Sequence, residues 1–272
     1  MQRIGILYHP LNESAYKLGQ EVENILKSKG VNPWICSAWE EDTARQLLDG
    51  TDLILSIGGD GTILRAAQIA FKKNIPITGI NMGTLGFMTE LNKDDVPQKL
   101  DDLIGGKGWI DERCMLEVEV SRHAGTYYAL NDVVLARGSV ARMVSIDVRI
   151  DDEPFTVYRA DGVILSTATG STGYNLAAGG PVVHFNSPDI IITPIVPHLG
   201  LSYSLILSSD NIISLRISTG FPATLSVDGH INLVVSDGTE FRVKHSSFVT
   251  RFLRIQQKNS FYRTLEHKLK GK

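Results

Sequence analysis

Cysteine is almost absent from the sequence. Cys36 and Cys114 stand far apart, with no histidine or cysteine beside them at ligand spacing. That excludes a zinc module and argues against a disulfide framework. A reducing compartment fits, and a cytoplasmic location is expected. A basic excess is missing too: 27 Lys and Arg face 30 Asp and Glu, for a net charge of −3. Nonspecific binding to a polyanion needs positive charge, so no nucleic-acid partner is expected. Long hydrophobic runs are also lacking. Met1 to Leu7 is too brief an apolar stretch for a signal peptide before Pro10, and Ile190 to Leu207 is interrupted by Pro194, Pro197 and several hydroxyls. The latter reads as core strand and loop, and no membrane partner is expected.

The most informative stretch is Gly58-Gly59-Asp60-Gly61-Thr62, which fits neither G-x-x-x-x-G-K-[ST] nor G-x-G-x-x-G. It follows the apolar run Leu53 to Ile57 and precedes Ile63, Ala66, Ala67, Ala70 and Phe71, which repeat with helical spacing. Strand, glycine loop and helix in this order form a phosphate site, because glycines let the backbone approach a ligand and first-turn amides point at it. A carboxylate in such a loop repels phosphate unless it holds a metal ion or takes a proton from an attacking hydroxyl. Either role suggests phosphoryl transfer. The alternative is that Asp60 caps a helix starting near Thr62.

Around this loop strand and helix alternate. Ile4 to Tyr8, Val31 to Cys36 and Ile75 to Ile80 read as strands; Ser14 can cap a helix running to Lys29, and Glu40 to Leu48 is a short helix. The alternation predicts a mostly parallel sheet with ligands at the carboxyl ends of its strands. A second glycine loop, Asn81 to Phe87, leaves the same edge, and Asn81 is a candidate ligand contact.

After Gly105-Gly106 the pattern changes to period two. Leu116, Val118 and Val120 alternate with polar residues, as do Ile146, Val148 and Ile150, and turns fall at Asp228-Gly229 and Asp237-Gly238. An antiparallel all-β domain is expected over 111–247, with an α/β domain over 1–110 completed by 248–272. Phe252 to Ile255 is the expected returning segment, and Phe261 to Leu269 reads as helical. Within the β domain, Thr169 to Asn175 places hydroxyls at the start of a short helix, with Tyr174 offering a stacking face. A solvent-facing turn with a core tyrosine is the other reading. Asn131-Asp132 can bond a purine edge or a ribose, and is equally a common turn pair.

Together, Gly58 to Thr62, Gly79 to Gly83 with Leu85-Gly86-Phe87, Asn131-Asp132, Asp161 and Thr169 to Asn175 with Gly179-Gly180-Pro181 resemble the NAD kinase family in order and spacing. The resemblance spans most of the chain. Its first motif is shared with phosphofructokinases and with diacylglycerol and sphingosine kinases. What it implies is an α/β N-terminal domain with a Rossmann-like, phosphofructokinase-like sheet, an all-β C-terminal domain, and ATP-dependent phosphorylation of the adenosine ribose 2′-hydroxyl of NAD. By that similarity Asp60 is the base and Gly61 lies beside it. Asn131 and Asp132 hold the adenosine part, and Asp161 bonds the nicotinamide carboxamide. Thr172, Gly173, Tyr174, Asn175 and Ala177 belong to the dinucleotide pocket, and Arg65, Arg142 and Arg159 are contacts or phosphate neighbours. His230 falls where the family has a late polar contact, or is simply a hairpin-turn histidine.

A divalent cation, magnesium or another, is implied with ATP, and the triphosphate is expected to carry most of its ligands because no carboxylates are spaced as a cage. The family also implies a homo-oligomer, dimer or tetramer. Two departures stand out: the acid after Asn131 is usually glutamate, and Gly173 replaces a common alanine. The competing readings are another kinase of this motif acting on a sugar or lipid, and a non-catalytic sensor of NAD or NADP.

Overall fold

The computed structural model describes residues 1–83, 86–121, 125–140, 142–198, 200–256, 262, 265 and 266. The chain divides into two compact units, Met1–Glu112 with Val249–Lys272, and Arg113–Phe248. The first contains β1 (Arg3–Tyr8), α1 (Glu13–Ser28), β2 (Asn32–Ser37), α2 (Glu41–Gln46), β3 (Leu53–Ile57), α3 (Asp60–Ala70), β4 (Ile77–Asn81), β5 (Leu91–Asn92) and α4 (Val96–Ile104). β1 lies between β2 and β3, and β4 pairs with both β3 and β5, all in parallel. Helical crossovers are what allow parallel neighbours. Ala15, Val22 and Leu26 of α1 share one core with Ile4, Ile6, Leu53, Leu55 and Ile57. Each large side chain buried there contributes roughly 1.5–3 kcal/mol.

The helix starts differ from the sequence expectation. Asn12 caps α1, its Oδ1 accepting the N–H of Ala15 at 3.1 Å, because extended backbone at Asn12 puts Ser14 already inside the helix. α3 opens on Asp60, two residues before Thr62. Of the helix expected over Phe261 to Leu269, only Tyr262, Leu265 and Glu266 lie within the described residues.

The chain continues through β6 (Trp109–Val120), β7 (Thr126–Ala129), β8 (Asp132–Arg137), β9 (Val144–Ile150), β10 (Glu153–Ala160), β11 (Gly162–Ser166), α5 (Tyr174–Ala177), β12 (Ile190–Ile195), β13 (Leu205–Leu207), β14 (Ile213–Ser218), β15 (Ala223–Val227), β16 (Ile231–Val235) and β17 (Glu240–Arg254). In the second unit, β10, β9, β14 and the first part of β17 form one antiparallel series, and β13, β12, β11, β8, β15 and β16 another. Alternate residues of both, including Val133, Leu135, Val163, Leu165, Val148, Leu215 and Phe241, meet in one core. This is the physical content of the period-two pattern.

β17 is long enough to leave one unit and finish in the other. In the first unit Phe252 pairs with Ile77 in parallel, and the Thr78 hydroxyl donates to the Leu253 carbonyl at 2.9 Å.

Candidate active site

In the first unit, β3 is buried along its whole length and stops at Gly58 and Gly59. Gly59 holds the N-cap position of α3 and has no side chain to cap it. Asp60 is therefore not the cap. Its carboxylate turns to the second glycine loop, where Oδ2 accepts the Phe87 N–H at 2.9 Å and Oδ1 the Met88 N–H at 3.2 Å. Bonds from amides to an ionised carboxylate are charge-assisted and fix its direction. Gly86 makes the approach possible, since a Cβ there would sit 2.0 Å from Asp60 Oδ1.

Behind this loop is a buried ion group. Arg254 donates from Nη1 to the Met88 carbonyl at 2.8 Å, reaches Glu90 at 3.3 Å, and donates from Nε to Asp111 at 3.1 Å. Glu90 accepts the N–H groups of Ile255 and Gln256 at 2.8 and 2.6 Å. Met88 is thus held by Asp60 through its N–H and by Arg254 through its carbonyl. Removing one partner of such a group strands a buried charge and costs about 3–5 kcal/mol.

A cavity of about 550 Å³ opens at the carboxyl ends of the strands, lined by His9, Asn12, Gly58, Gly59, Asn81 and Gly83 among others. Asn81 lines it, but its amide also closes a turn, accepting the Gly83 N–H at 3.2 Å and donating to the Gly83 carbonyl. Gly61 is exposed. Arg65 does not point a free charge at a phosphate: it pairs with Glu41 at 3.4 Å and stacks on Trp39, 4.3 Å from the ring centre.

In the second unit the Asn131-Asp132 pair is a clamped turn. Asp228, at the β15–β16 hairpin, accepts the N–H groups of Leu130, Asn131 and Asp132 at 2.9, 2.7 and 3.2 Å. Its own φ is +49° and that of Gly229 +72°, so the hairpin turns through the left-handed region. From the other side, the Thr167 hydroxyl donates to the Leu130 carbonyl at 2.6 Å and the Thr167 N–H to the Asn131 carbonyl at 2.9 Å.

Asp132 is 6% exposed. Burial first, and the charge of Asp228 second, push its carboxyl up to about 7. Asn131 Oδ1 is buried without a hydrogen-bond partner among the described residues.

The Thr169 to Asn175 loop reaches this turn through Gly173, where a Cβ would lie 3.7 Å from Asn131 Nδ2. Tyr174 is 47% exposed, and Gly173 and Ala177 are exposed beside it. The Thr172 hydroxyl donates to the Thr169 carbonyl at 3.4 Å. Asn175 differs from its expected role. It is fully buried, donates to the carbonyls of Ser171 and Pro181 at 3.1 and 2.9 Å, and accepts the Thr193 hydroxyl at 2.7 Å. Its amide locks the loop from within.

The remaining residues are spread out. Asp161 sits at the far end of β11, roughly 15 Å along the strand from the Ser166 that faces Asp132. There it pairs with Arg137 at 2.9 Å. Arg142 is exposed, its guanidinium 5.0 Å from the Phe221 ring centre, and Arg159 is exposed on β10. His230 Nδ1 lies 3.1 Å from the Asp228 carbonyl. Asp228, Arg137, Glu90 and Arg254 escape sequence reasoning. Asp228-Gly229 reads as a turn pair, and a carboxylate that binds distant backbone amides leaves no pattern of its own.

Comparison with known proteins places this architecture. Residues 7–107 match the family model described as the ATP-NAD kinase N-terminal domain, and residues 130–255 match its C-terminal domain. A relative from Dehalococcoides mccartyi, named NAD kinase, is 49% identical over 99% of this chain and 96% of its own length. One of the same name from Chloroflexus aggregans is 37% identical over 99% of both chains. Among solved structures, yeast NADH kinase complexed with NADH superposes with a TM-score of 0.88 at 26% identity, covering 100% of this chain and 88% of that one. An NAD kinase from Archaeoglobus fulgidus in complex with ATP gives 0.79 at 27% identity over 99% of both.

Proposed function

The chain belongs to the NAD kinase family, and on that footing we propose that it transfers the γ-phosphoryl group of ATP to the adenosine ribose 2′-hydroxyl of NAD, giving NADP. Two relatives of known structure were captured with NADH and with ATP, the acceptor and donor classes of this reaction. The observation that carries the mechanism is the Asp60 carboxylate, held by the Phe87 and Met88 amides instead of capping its own helix.

In this reading Asp60 takes the 2′-hydroxyl proton as that oxygen attacks the γ-phosphorus. ADP leaves, and Asp60 returns the proton to solvent. The amides around Gly58 to Gly61 and the cavity beside them suit the phosphates of the donor. Asn131, Asp132, Thr172, Gly173, Tyr174, Ala177 and His230 hold the dinucleotide, with Asp161, Arg142 and Arg159 as outer contacts. Magnesium, or another divalent cation, enters with the triphosphate. Magnesium ordinarily keeps water and substrate phosphates as most of its ligands.

The test is an acceptor panel with ATP and magnesium, scored for NADP against sugar and lipid phosphates. NADP as the main product is expected; faster turnover of a sugar or diacylglycerol would move Asp60 to a different kinase, and NAD binding without donor-dependent turnover would leave a sensor. The active form is a homo-oligomer in this reading, supported by family membership, and a light-scattering mass near that of one chain in a fully active sample would refute it. A cytoplasmic location is supported by the two free thiols; among the described residues no helix is long and apolar enough to cross a membrane.

A further inference from the structure

Asp132 is an unusual residue to bury. β11 places Ser166 opposite it, and β15 ends next to a second carboxylate, Asp228. The other groups on the packed elements that carry or can take charge are His230, whose Nδ1 faces the Asp228 carbonyl, and Arg137 at the far end of β8, which is paired with Asp161. No described residue donates a hydrogen bond to the Asp132 carboxylate, while Asp228 collects three backbone amides. Asn131 Oδ1, on the preceding residue, is buried and has no hydrogen-bond partner among the described residues. Acceptors on two consecutive residues, neither with a donor among the described residues, suit a ligand rich in hydroxyl or amine hydrogens.

We infer that Asp228 is the positioning residue of the Asn131-Asp132 pair, and that the pair binds the hydroxyl or amine hydrogens of a nucleoside with release of the Asp132 proton. The inference rests on the reading that this pair holds NAD. In the empty site, burial and the neighbouring carboxylate favour the neutral acid. Hydrogen bonds from the ligand favour the charged form. The acid loses its proton to the buffer, and the carboxylate that remains accepts the ligand's hydrogens. The upward push on the Asp132 carboxyl, to about 7, agrees with this geometry. The diphosphate of NAD stays ionised and its adenine neutral in this range, so a released proton comes from the protein.

The experiment is calorimetry of NAD binding to the full chain in two buffers of different protonation enthalpy. At pH 6.5 the wild type should release about three quarters of a proton per site, declining towards none by about pH 8.5. Asp132→Asn should still bind, roughly tenfold more weakly, and release none. Asp228→Asn removes the charge, so the midpoint of release should move to lower pH, a change that loss of a purely structural contact would not produce. Should that variant fail to fold, Asp228→Glu keeps the charge and displaces it by a methylene; the midpoint should stay high while affinity falls about tenfold. No release by the wild type, or equal release by Asp132→Asn, overturns the proton coupling. An unmoved midpoint in Asp228→Asn, or wild-type affinity in Asp228→Glu, overturns the positioning role. Wild-type protein that does not bind NAD at all removes the underlying assignment, a result distinct from binding without proton release.

Discussion

The Asp60 loop and the Asn131-Asp132 turn solve the same problem in different ways. Each is held by a carboxylate that accepts amides from a distant stretch of chain. In the first unit that carboxylate is also the candidate base, so position and chemistry lie in one side chain. In the second unit Asp228 does the holding and Asp132 is the candidate ligand contact, so the two tasks can be separated by mutation. A base must be placed, and the amide donors serve that end. A recognition group that is fixed by a neighbour remains free to change its charge.

Breaking that comparison gives its largest effect at Asp60. Asp60→Asn keeps the shape but turns an amide NH₂ towards one of the two backbone donors, and it cannot take a proton. A fall in kcat of roughly 10²–10⁴ is expected with NAD affinity held within a few fold. Single-turnover NADP formation near the wild-type rate, with normal NAD binding, would make Asp60 structural.

Next in size is the stability of Asp132→Asn. The folded wild type holds a proton on Asp132 up to about pH 7, while the unfolded chain loses it near pH 4. Wild-type stability therefore falls as pH rises through that window and is level above it. The variant has no such proton, so at pH 8 it should gain up to roughly 4 kcal/mol over the wild type, with the difference shrinking towards pH 4. Urea unfolding at both pH values reads this directly; an equal difference at each would contradict a neutral Asp132.

Gly86→Ala sharpens the contrast from the other side, because it leaves Asp60 in the sequence and displaces its carboxylate. About a hundredfold loss of kcat is expected, against little change in NAD affinity. Wild-type kcat in this variant would show that the close approach is dispensable. The smallest effect is that of Asp161→Ala, which should weaken NAD binding about tenfold and cost under about 1 kcal/mol of stability, since its pairing with Arg137 is partly exposed. Unchanged affinity would take Asp161 out of the site.

What is legible in the sequence is what local rules govern. The buried strand, glycine loop and helix around Asp60 follow from an apolar run, two glycines and a 3.6-residue repeat, and the β domain follows from strict alternation. The clamps do not, because backbone amides are the same at every residue. Phe87 and Met88 reach Asp60 across 27 and 28 positions, and Leu130 reaches Asp228 across 98. Polar side chains in a loop can likewise be read in either direction. Asn175 and Tyr174 are neighbours in one motif, yet one is locked inside and the other is open to solvent. Arg65 is decided by Glu41 and Trp39, residues the motif does not contain.

The ion group behind Met88 also sets an order in time. Glu90 and its partners Arg254, Ile255 and Gln256 are about 165 residues apart along the chain. At translation speeds of roughly 5–20 residues per second, a ribosome that has just made Glu90 needs about 8–33 s to supply them. Through that interval Arg254 is missing from the group, and of the two hydrogen bonds that hold the Met88 backbone only the one to Asp60 can form. The segment that holds the candidate base is therefore among the earlier parts of the chain to be synthesised, while its last partner comes from the final strand.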